Sequence, residues 1–227
     1  MEVWNIMALS HSPSIATNGL TIFYDPANRR SYTGTGGTTI DLCNFYNGNL
    51  INGVGFTSSN NGLFSFDGTN DYIEIPTLNI NSSFSIDLYC YALNLSSTYV
   101  IAGKYGGGAY DFWLGITGSK FRFSISMPNK IEPQTLTILA NTWYHISAVY
   151  NASSITASIY LNGVLAQTLS GSSVFQNPPG NYAIGAFGAA GSYYFPGYVA
   201  SHKFYNRALS ATEIKQNFNA NRDRFGI

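Results

Sequence analysis

The chain has 227 residues, and its eleven Lys plus Arg balance eleven Asp plus Glu, so no net field of either sign is available to hold a phosphate backbone or an anionic bilayer. Nucleic acid and membrane are thereby excluded as partners, and with no apolar run of roughly 20 residues and no basic region followed by an apolar core, the sequence predicts a soluble protein made in a cytoplasm without a signal peptide. Only 10% of the residues are charged, while glycine, tyrosine and phenylalanine number 23, 17 and 15, a composition that argues against long surface helices and suits short strands joined by tight turns.

Residues 1–18 carry Val3, Trp4, Ile6, Met7 and Leu9 without a sustained period. They read as an N-terminal arm, in which Trp4, Ile6, Met7 and Leu9 are the side chains available to dock on a neighbour during assembly. A first strand at 20–24 is stopped by Asp25-Pro26. Gly34, Gly36, Gly37, Gly48, Gly53 and Gly55 then punctuate 31–62, which predicts a long excursion over one rim. Strands resume at 63–66 and, after the turn Asp67-Gly68-Thr69-Asn70, at 71–75. Over 84–91 the alternation puts Phe84, Ile86, Leu88 and Cys90 on one buried face, because successive strand side chains point to opposite sides.

A short strand at 99–102 leads into the glycine-rich loop from Gly103 to Tyr110, and 112–116 with 121–126 form a hairpin across Thr117-Gly118-Ser119-Lys120. The strongest local signal is the meander at 143–150, 155–161 and 164–169, in which Ile155, Ala157, Ile159 and Leu161 share a face. Its Asn162-Gly163 pair tolerates the positive φ that both central residues of a type I′ turn require. After a turn-rich crossover at 171–180, the last strands are 182–185 and 198–205. Ser210 with Glu213 three residues on is a capping box, and it predicts one short helix over 211–219 with Ile214 and Phe218 on one face. Arg222 and Arg224 fall in a tail, 221–227, that is either solvated or a subunit contact. About thirteen strands without internal repeat predict an all-β domain over 19–220, a sandwich of two antiparallel sheets with one C-terminal helix.

Little here spells catalysis. Glu2, Glu74, Glu132 and Glu213 are isolated, and Glu74 and Asp87 are the acidic pair that could meet across strands. His11, His145 and His202 lack metal-binding spacing, and His145 reads as a hydrogen-bonded residue of its sheet. Cys43 and Cys90 read as separate reduced thiols. Asp67, Asn70 and Asp71 gather in one turn hard oxygen donors of the kind calcium takes, although an Asx-type turn that satisfies its own backbone is the simpler account. No other cofactor is expected. Tyr105, Tyr110 and Trp113 beside the triple-glycine loop, or Tyr193 and Tyr194, offer rings on which the apolar faces of sugars stack.

In order along the chain, Phe66-Asp67-Gly68-Thr69-Asn70-Asp71-Tyr72-Ile73, Phe84-Ser85-Ile86-Asp87, Trp143-Tyr144-His145-Ile146, Ile159-Tyr160-Leu161-Asn162-Gly163, Ile184-Gly185 and the run from Tyr205 to Ile214 resemble the motifs of concanavalin A-like lectin/glucanase domains of the laminin G type. The resemblance covers about 19–219 and implies a jelly-roll sandwich. Met7 to Ile15, Asn18-Gly19-Leu20, Asp25 to Tyr32, Gln216 to Ala220 and Arg224 to Ile227 resemble versions of this domain found in structural proteins of tailed bacteriophages, where Met7 would correspond to the usual start. Retaining glucanases among the relatives carry Glu-x-Asp-x-x-Glu, which puts two carboxylates on one strand face about 5 Å apart. No glutamate begins that pattern here, so the resemblance implies a protein that is not an enzyme. Some laminin G relatives bind calcium at a rim, the place to which Asp67, Asn70 and Asp71 would correspond. What the resemblance implies is a virion structural protein of a tailed phage, a capsid decoration or a tail or neck fibre component, made in the host cytoplasm. Its partners would be other virion proteins, as a homo-oligomer or attached to capsid or tail. The alternative it leaves is a lectin domain that recognises host surface glycans.

Overall fold

Residues 14–76, 78–80, 82–106, 111–126, 129–172, 174–177, 179–188 and 192–227 are described by the computed structural model. The alternating runs become strands: β1 (Leu20–Tyr24), β2 (Thr38–Thr39), β3 (Gly48–Ile51), β4 (Gly55–Thr57), β5 (Leu63–Asp67), β6 (Tyr72–Ile75), β7 (Phe84–Ala92) and β8 (Tyr99–Lys104) in the first half. The second half adds β9 (Phe112–Thr117), β10 (Lys120–Ile125), β11 (Gln134–Thr137), β12 (Trp143–Asn151), β13 (Thr156–Leu161), β14 (Val164–Ser170), β15 (Tyr182–Ile184), β16 (Pro196–Tyr205) and the helix α1 (Ala211–Phe225). One sheet runs β14-β13-β12-β7-β16-β5-β4 with β1 also on β16, and the other runs β11-β10-β9-β8-β15-β6-β3-β2. Neighbouring strands are antiparallel throughout the described residues.

Period two explains the core. Phe84, Ile86, Leu88 and Cys90 of β7 with Ile146, Ala148 and Tyr150 of β12 meet Phe112, Leu114 and Ile116 of β9 and Phe121 and Phe123 of β10 from the opposite sheet. The Phe84 ring stands 4.7 Å from that of Phe112 and stacks on Phe204 at 5.7 Å, so it ties three strands across the two layers. Each such side chain removed from water contributes about 1.5–3 kcal/mol. The Asn162-Gly163 turn has φ of 50° and 76°, as a type I′ turn requires, and a Cβ on Gly163 would stand 3.1 Å from Phe218, so this turn also seats α1.

Three expectations are corrected. The excursion over 31–62 contains β2, β3 and β4, and β11 also joins its sheet; strands of two to four residues are too short to show alternation and are formed by the partner strand beside them. Ile155 does not share the face of Ala157 and Ile159, because with φ of 52° it belongs to the turn held by Asn151 Oδ1, which accepts from the amides of Ser153 and Ser154. The helix does not stop near 219, nor is 221–227 a separate solvated tail. No breaker intervenes before Gly226, whose left-handed φ of 69° caps the helix. Arg224 Nη1 reaches both oxygens of Asp25 at 2.9 and 3.0 Å, and Phe225 stacks on Tyr89 at 4.3 Å. At the other end Asn217 Oδ1 accepts from the Ala16 amide at 2.8 Å, and Tyr205 donates to the Ala16 carbonyl at 2.9 Å. Ala16 and the C-terminal helix are thus fastened to the outer face of the first sheet.

Between that face and α1 lies a buried charge. Val199 and Phe204 both face the core although they are five residues apart, which requires an extra residue in β16; a bulge at Ser201, φ 49°, supplies it. The bulge turns Lys203 outward, where Nζ donates to Asp87 Oδ1 at 2.8 Å and to the Ser201 carbonyl at 3.0 Å. Ser147 Oγ donates to Asp87 Oδ2 at 2.7 Å, and His145 Nε2 lies 2.9 Å from the same oxygen. Burial works to raise the Asp87 pKa, but the Lys203 charge and then His145 outweigh it and hold the carboxyl far below the usual carboxylate range. On the inner side of the bulge, His202 Nε2 lies 2.8 Å from the Tyr182 hydroxyl. Burial first, and Lys203 second, push its pKa down to about 3.

Asp87→Asn should cost about 3–5 kcal/mol in urea unfolding, since Lys203 is left buried and unpaired, and adding Lys203→Met should return part of that loss. An Asp87→Asn protein as stable as the parent would contradict this account of the node. His202 stays neutral in the folded state and gains a proton near pH 6.5 when unfolded. Its contribution is therefore present above about pH 6.5 and is lost as pH falls toward 3, with the Asp87 contribution lost further down, below about 3.9. The melting temperature should fall between pH 6.5 and 4.5, and His202→Gln should flatten that slope; a parent curve already level over this range would rule out a buried neutral His202.

Candidate functional site

Because α1 covers the centre of one outer face of the sandwich, the outer face of the second sheet stays open for a ligand. On β9 and β10 the residues that alternate with the core positions turn there, notably Trp113 and Arg122. They line a groove of about 310 Å³ together with Glu132, Lys130, Phe187 and Tyr193. This lies at the lower end of the roughly 300–1,000 Å³ typical of small-molecule sites. Tyr193 is held over the groove by its backbone, whose carbonyl accepts from the Val100 amide at 2.8 Å. Its φ of 56° is strained for a non-glycine residue, a feature that clusters at binding sites.

Polar groups converge with these rings. Glu132 Oε1 accepts from Ser124 Oγ at 2.9 Å and pairs with Lys130 Nζ at 2.7 Å, and Oε2 lies 3.5 Å from Arg122 Nη1. Burial raises the Glu132 pKa, but the hydrogen bonds from Lys130 and Ser124 and the charges of Lys130 and Arg122 outweigh it, so the net shift is downward. Glu132 is therefore an acceptor and a poor proton donor at neutral pH. The Arg122 Nε is buried without a hydrogen-bond partner among the described residues. Asp111 also lines the groove, and its Oδ1 accepts from the Gly106 amide at 2.5 Å. Rings beside directed donors and acceptors are what a polyhydroxylated ligand with apolar C–H faces needs.

The structure brings together part of the aromatic platform expected from sequence. Trp113 and Tyr193 line the groove. Tyr105 joins them through Phe187, its ring 5.2 Å away edge-on, and Gly188 allows that approach because a Cβ there would fall 2.6 Å from Tyr105 Cβ. Tyr194 is not part of the set, since it packs on Tyr72 at 6.5 Å. Tyr110 lies outside the described residues, as do the arm residues Trp4, Ile6, Met7 and Leu9. Arg122, Glu132, Lys130 and Phe187 escaped sequence reasoning; the one usable signal was the outward parity of Arg122 within Phe121-Arg122-Phe123.

Elsewhere the acidic residues are committed to structure. Asp67 Oδ1 accepts from the amides of Thr69 and Asn70 at 2.7 and 3.4 Å, and Asp71 Oδ2 accepts from the Asp67 amide at 3.2 Å. The Asn70 carbonyl accepts from Asn52 Nδ2 at 3.1 Å. Burial raises the Asp71 pKa. Glu74 and Asp87 do not meet across strands, because β6 and β7 belong to different sheets; Glu74 instead accepts from Asn181 Nδ2 at 2.9 Å. Cys43 and Cys90 are free thiols. No helix among the described residues is long and apolar enough to cross a membrane.

Residues 67–215 match the family described as the concanavalin A-like lectin/glucanases superfamily. No curated protein sequence matches the chain. Among solved structures it is similar to domain 4 of an extracellular arabinanase from Geobacillus stearothermophilus in complex with arabinotriose, with TM-score 0.68 and 15% identity over 87% of this chain and 97% of that one. It is also similar to the receptor binding domain of botulinum neurotoxin type G, with TM-score 0.67 and 17% identity over 89% of this chain and 51% of that one. For Trypanosoma rangeli sialidase in complex with sialic acid the TM-score is 0.68 at 16% identity, over 93% of this chain and 34% of that one. The chain thus spans about half of the neurotoxin domain and a third of the sialidase, and these likenesses establish the fold.

With Asp67 Oδ1 and Asp71 Oδ2 each engaged by backbone amides, adding calcium to chelator-treated protein should leave the melting temperature unchanged. A cation at 100 times its Kd would add about 2.7 kcal/mol, so a rise of several degrees would assign these oxygens to a cation.

Proposed function

We propose, from the premise that the chain belongs to the concanavalin A-like lectin/glucanase superfamily, that it is a non-catalytic glycan-recognition module of a tailed-phage particle. The observation that carries glycan recognition is the groove, where Trp113 and Tyr193 stand beside Arg122 and Glu132. A sugar ring stacks its C–H face on the indole while its hydroxyls exchange hydrogen bonds with the charged pair. The neighbours whose names specify an arabinotriose complex, a receptor binding domain and sialic acid favour this reading over a purely structural one. Hydrolysis is disfavoured because it needs a carboxyl poised to donate a proton, and Glu132 is held on the ionised side.

The particle context rests on a different observation. The stretches that resemble phage structural proteins lie outside 67–215, yet the fold joins them: Ser14 to Gln216 and Asp25 to Arg224, with Ala16 between two of the stretches bonded to Asn217. One block, made from α1 with Ser14, Ala16 and Asp25, lies over the sheet face opposite the groove. Such a block is suited to fastening the domain to a particle while the groove faces outward, with host surface glycans as its ligands and other virion proteins as its partners.

Binding to a panel of neutral and acidic oligosaccharides, read by calorimetry, tests the first part. Trp113→Ala should weaken the best binder about tenfold, equivalent to about 1.4 kcal/mol, and no oligosaccharide should be cleaved. Undiminished binding by the variant, or turnover, would reject the reading. Mass spectrometry of purified particles tests the second, with the chain expected at a fixed copy number; its absence from intact particles would reject the context and leave the groove untouched.

A further inference from the structure

A helix that crosses a sheet leaves part of that sheet beside it. Phe218 and Phe225 of α1 pack on His145 of β12 and Tyr89 of β7, in the row where His145, Tyr89 and Ala200 of β16 are cross-strand partners. Two positions toward the start of β12 and β16, and toward the end of β7, the side chains point the same way, because strand periodicity is two. There the register sets Trp143, Tyr91 and Tyr198 side by side, all three half-buried. The Tyr91 ring stands 5.4 Å from that of Trp143 at 54° and 5.8 Å from that of Tyr198 at 53°. Three rings from adjacent strands thus make a ridged row with a cleft on each side of Tyr91.

This row has a built rim. With Thr57 at the end of β4 and Ser59 and Asn60 in the turn that follows, the rings line a hollow of about 260 Å³. Asn60 is fixed at φ of 47°, its Nδ2 donating to the Arg224 carbonyl at 2.8 Å and its own carbonyl accepting from Arg224 Nε at 2.6 Å. Backbone held in this region clusters at ligand clamps. No charged side chain lines the hollow. Among the described residues the two phenol hydroxyls and the Trp143 indole N–H have no hydrogen-bond partner, so the rings present donors at their edges.

A ligand for this surface is uncharged, enters clefts between tilted rings and carries free acceptors. A polyproline II segment has each property: its backbone makes no internal hydrogen bond, so its carbonyls are free, and it repeats every three residues over roughly 9 Å. The outer rings of the row stand on strands two sheet spacings apart, roughly 10 Å, so about one turn of such a segment spans it. The hollow is smaller than the roughly 300–1,000 Å³ of small-molecule sites, which suits a rod lying along the surface. We propose that Trp143, Tyr91 and Tyr198 form a docking site for a proline-rich segment of a partner protein, whose pyrrolidine rings enter the clefts beside Tyr91 and whose carbonyls accept from the indole and phenol groups. A sugar stacks flat on one open ring face, whereas each ring here has a neighbour tilted across it. This inference is independent of the glycan reading.

Titrating the full chain with a synthetic peptide of about ten prolines, a length of roughly three turns, tests it through the indole N–H resonances. The Trp143 signal should shift in a saturable manner while that of Trp113 stays in place, and a glycine-serine peptide of the same length should shift neither. Tyr198→Ala should weaken binding at least tenfold. Tyr198→Phe keeps the ring and loses the donor, so it should weaken binding about threefold, a readout that holds even if the alanine variant fails to fold. An unmoved Trp143 signal, binding undiminished in both variants, or an equal response to the glycine-serine peptide would overturn the proposal. So would an oligosaccharide that shifts Trp143 where the proline peptide does not, since the row would then be a sugar site.

Discussion

The outer face of the first sheet is arranged around one ionised carboxylate that is shut off from bulk solvent. Asp87 lies at 0% exposure beside Lys203, His145 and Ser147, and the low dielectric that makes its attractions strong would make it costly if any partner were missing. The node therefore needs a lid, and α1 is that lid. Phe218 packs on His145, Phe225 and the Tyr89 ring lie face to face, and the Tyr89 hydroxyl donates to the Phe218 carbonyl. A helix with one apolar stripe would have little reason to continue past 219, but the need to close over Asp87 and to place Arg224 on Asp25 accounts for the remaining turns.

This constraint distributes the work of the two faces. Once α1, Ala16 and the Arg224–Asp25 pair occupy the centre of the first outer face, the second sheet still turns side chains of β9 and β10 to solvent. Its outward residues are accordingly less apolar, with Trp113, Arg122 and Lys120 alternating with Phe112, Phe121 and Phe123. The groove is thus a consequence of which face the helix takes. Rigidity follows as well, because Trp113 and Arg122 sit on paired strands while the adaptable contribution, Tyr193, comes from a segment pinned by the Val100 amide.

Much of the fold could be read from the chain, and the reason is periodicity. Where apolar residues alternate with residues of another character, as in β7, β12 and β13, the alternation identifies both the strand and its inward residues, even though α1 buries the outer faces of β7 and β12, and Asn162-Gly163 identifies the turn between β13 and β14. Where alternation breaks, reading fails. In Tyr198 to Tyr205 the bulge at Ser201 reverses parity, so a strict count places Lys203 with the inward Val199 when it is outward and holds Asp87. The site was half visible for the same reason. Aromatic rings beside glycine turns are conspicuous, so Trp113 and Tyr193 could be picked out, but Glu132 and Phe187 come from segments of irregular backbone, and only the paired register of β9 and β10 brings Arg122 near Trp113. Long-range ion pairs such as Asp87 with Lys203, 116 positions apart, leave no local trace at all.

The central claim is that glycan binds on the open face and not beside the helix. The chain contains three tryptophans, of which Trp113 lines the groove while Trp143 lies under α1, 4.5 Å from the Phe225 ring and 5.4 Å from that of Tyr91. Their indole N–H resonances can be followed separately as oligosaccharide is added. The account predicts that the Trp113 signal shifts in a saturable manner while the Trp143 signal stays in place. Binding that leaves Trp113 unmoved, or that shifts Trp143 alone, would contradict it.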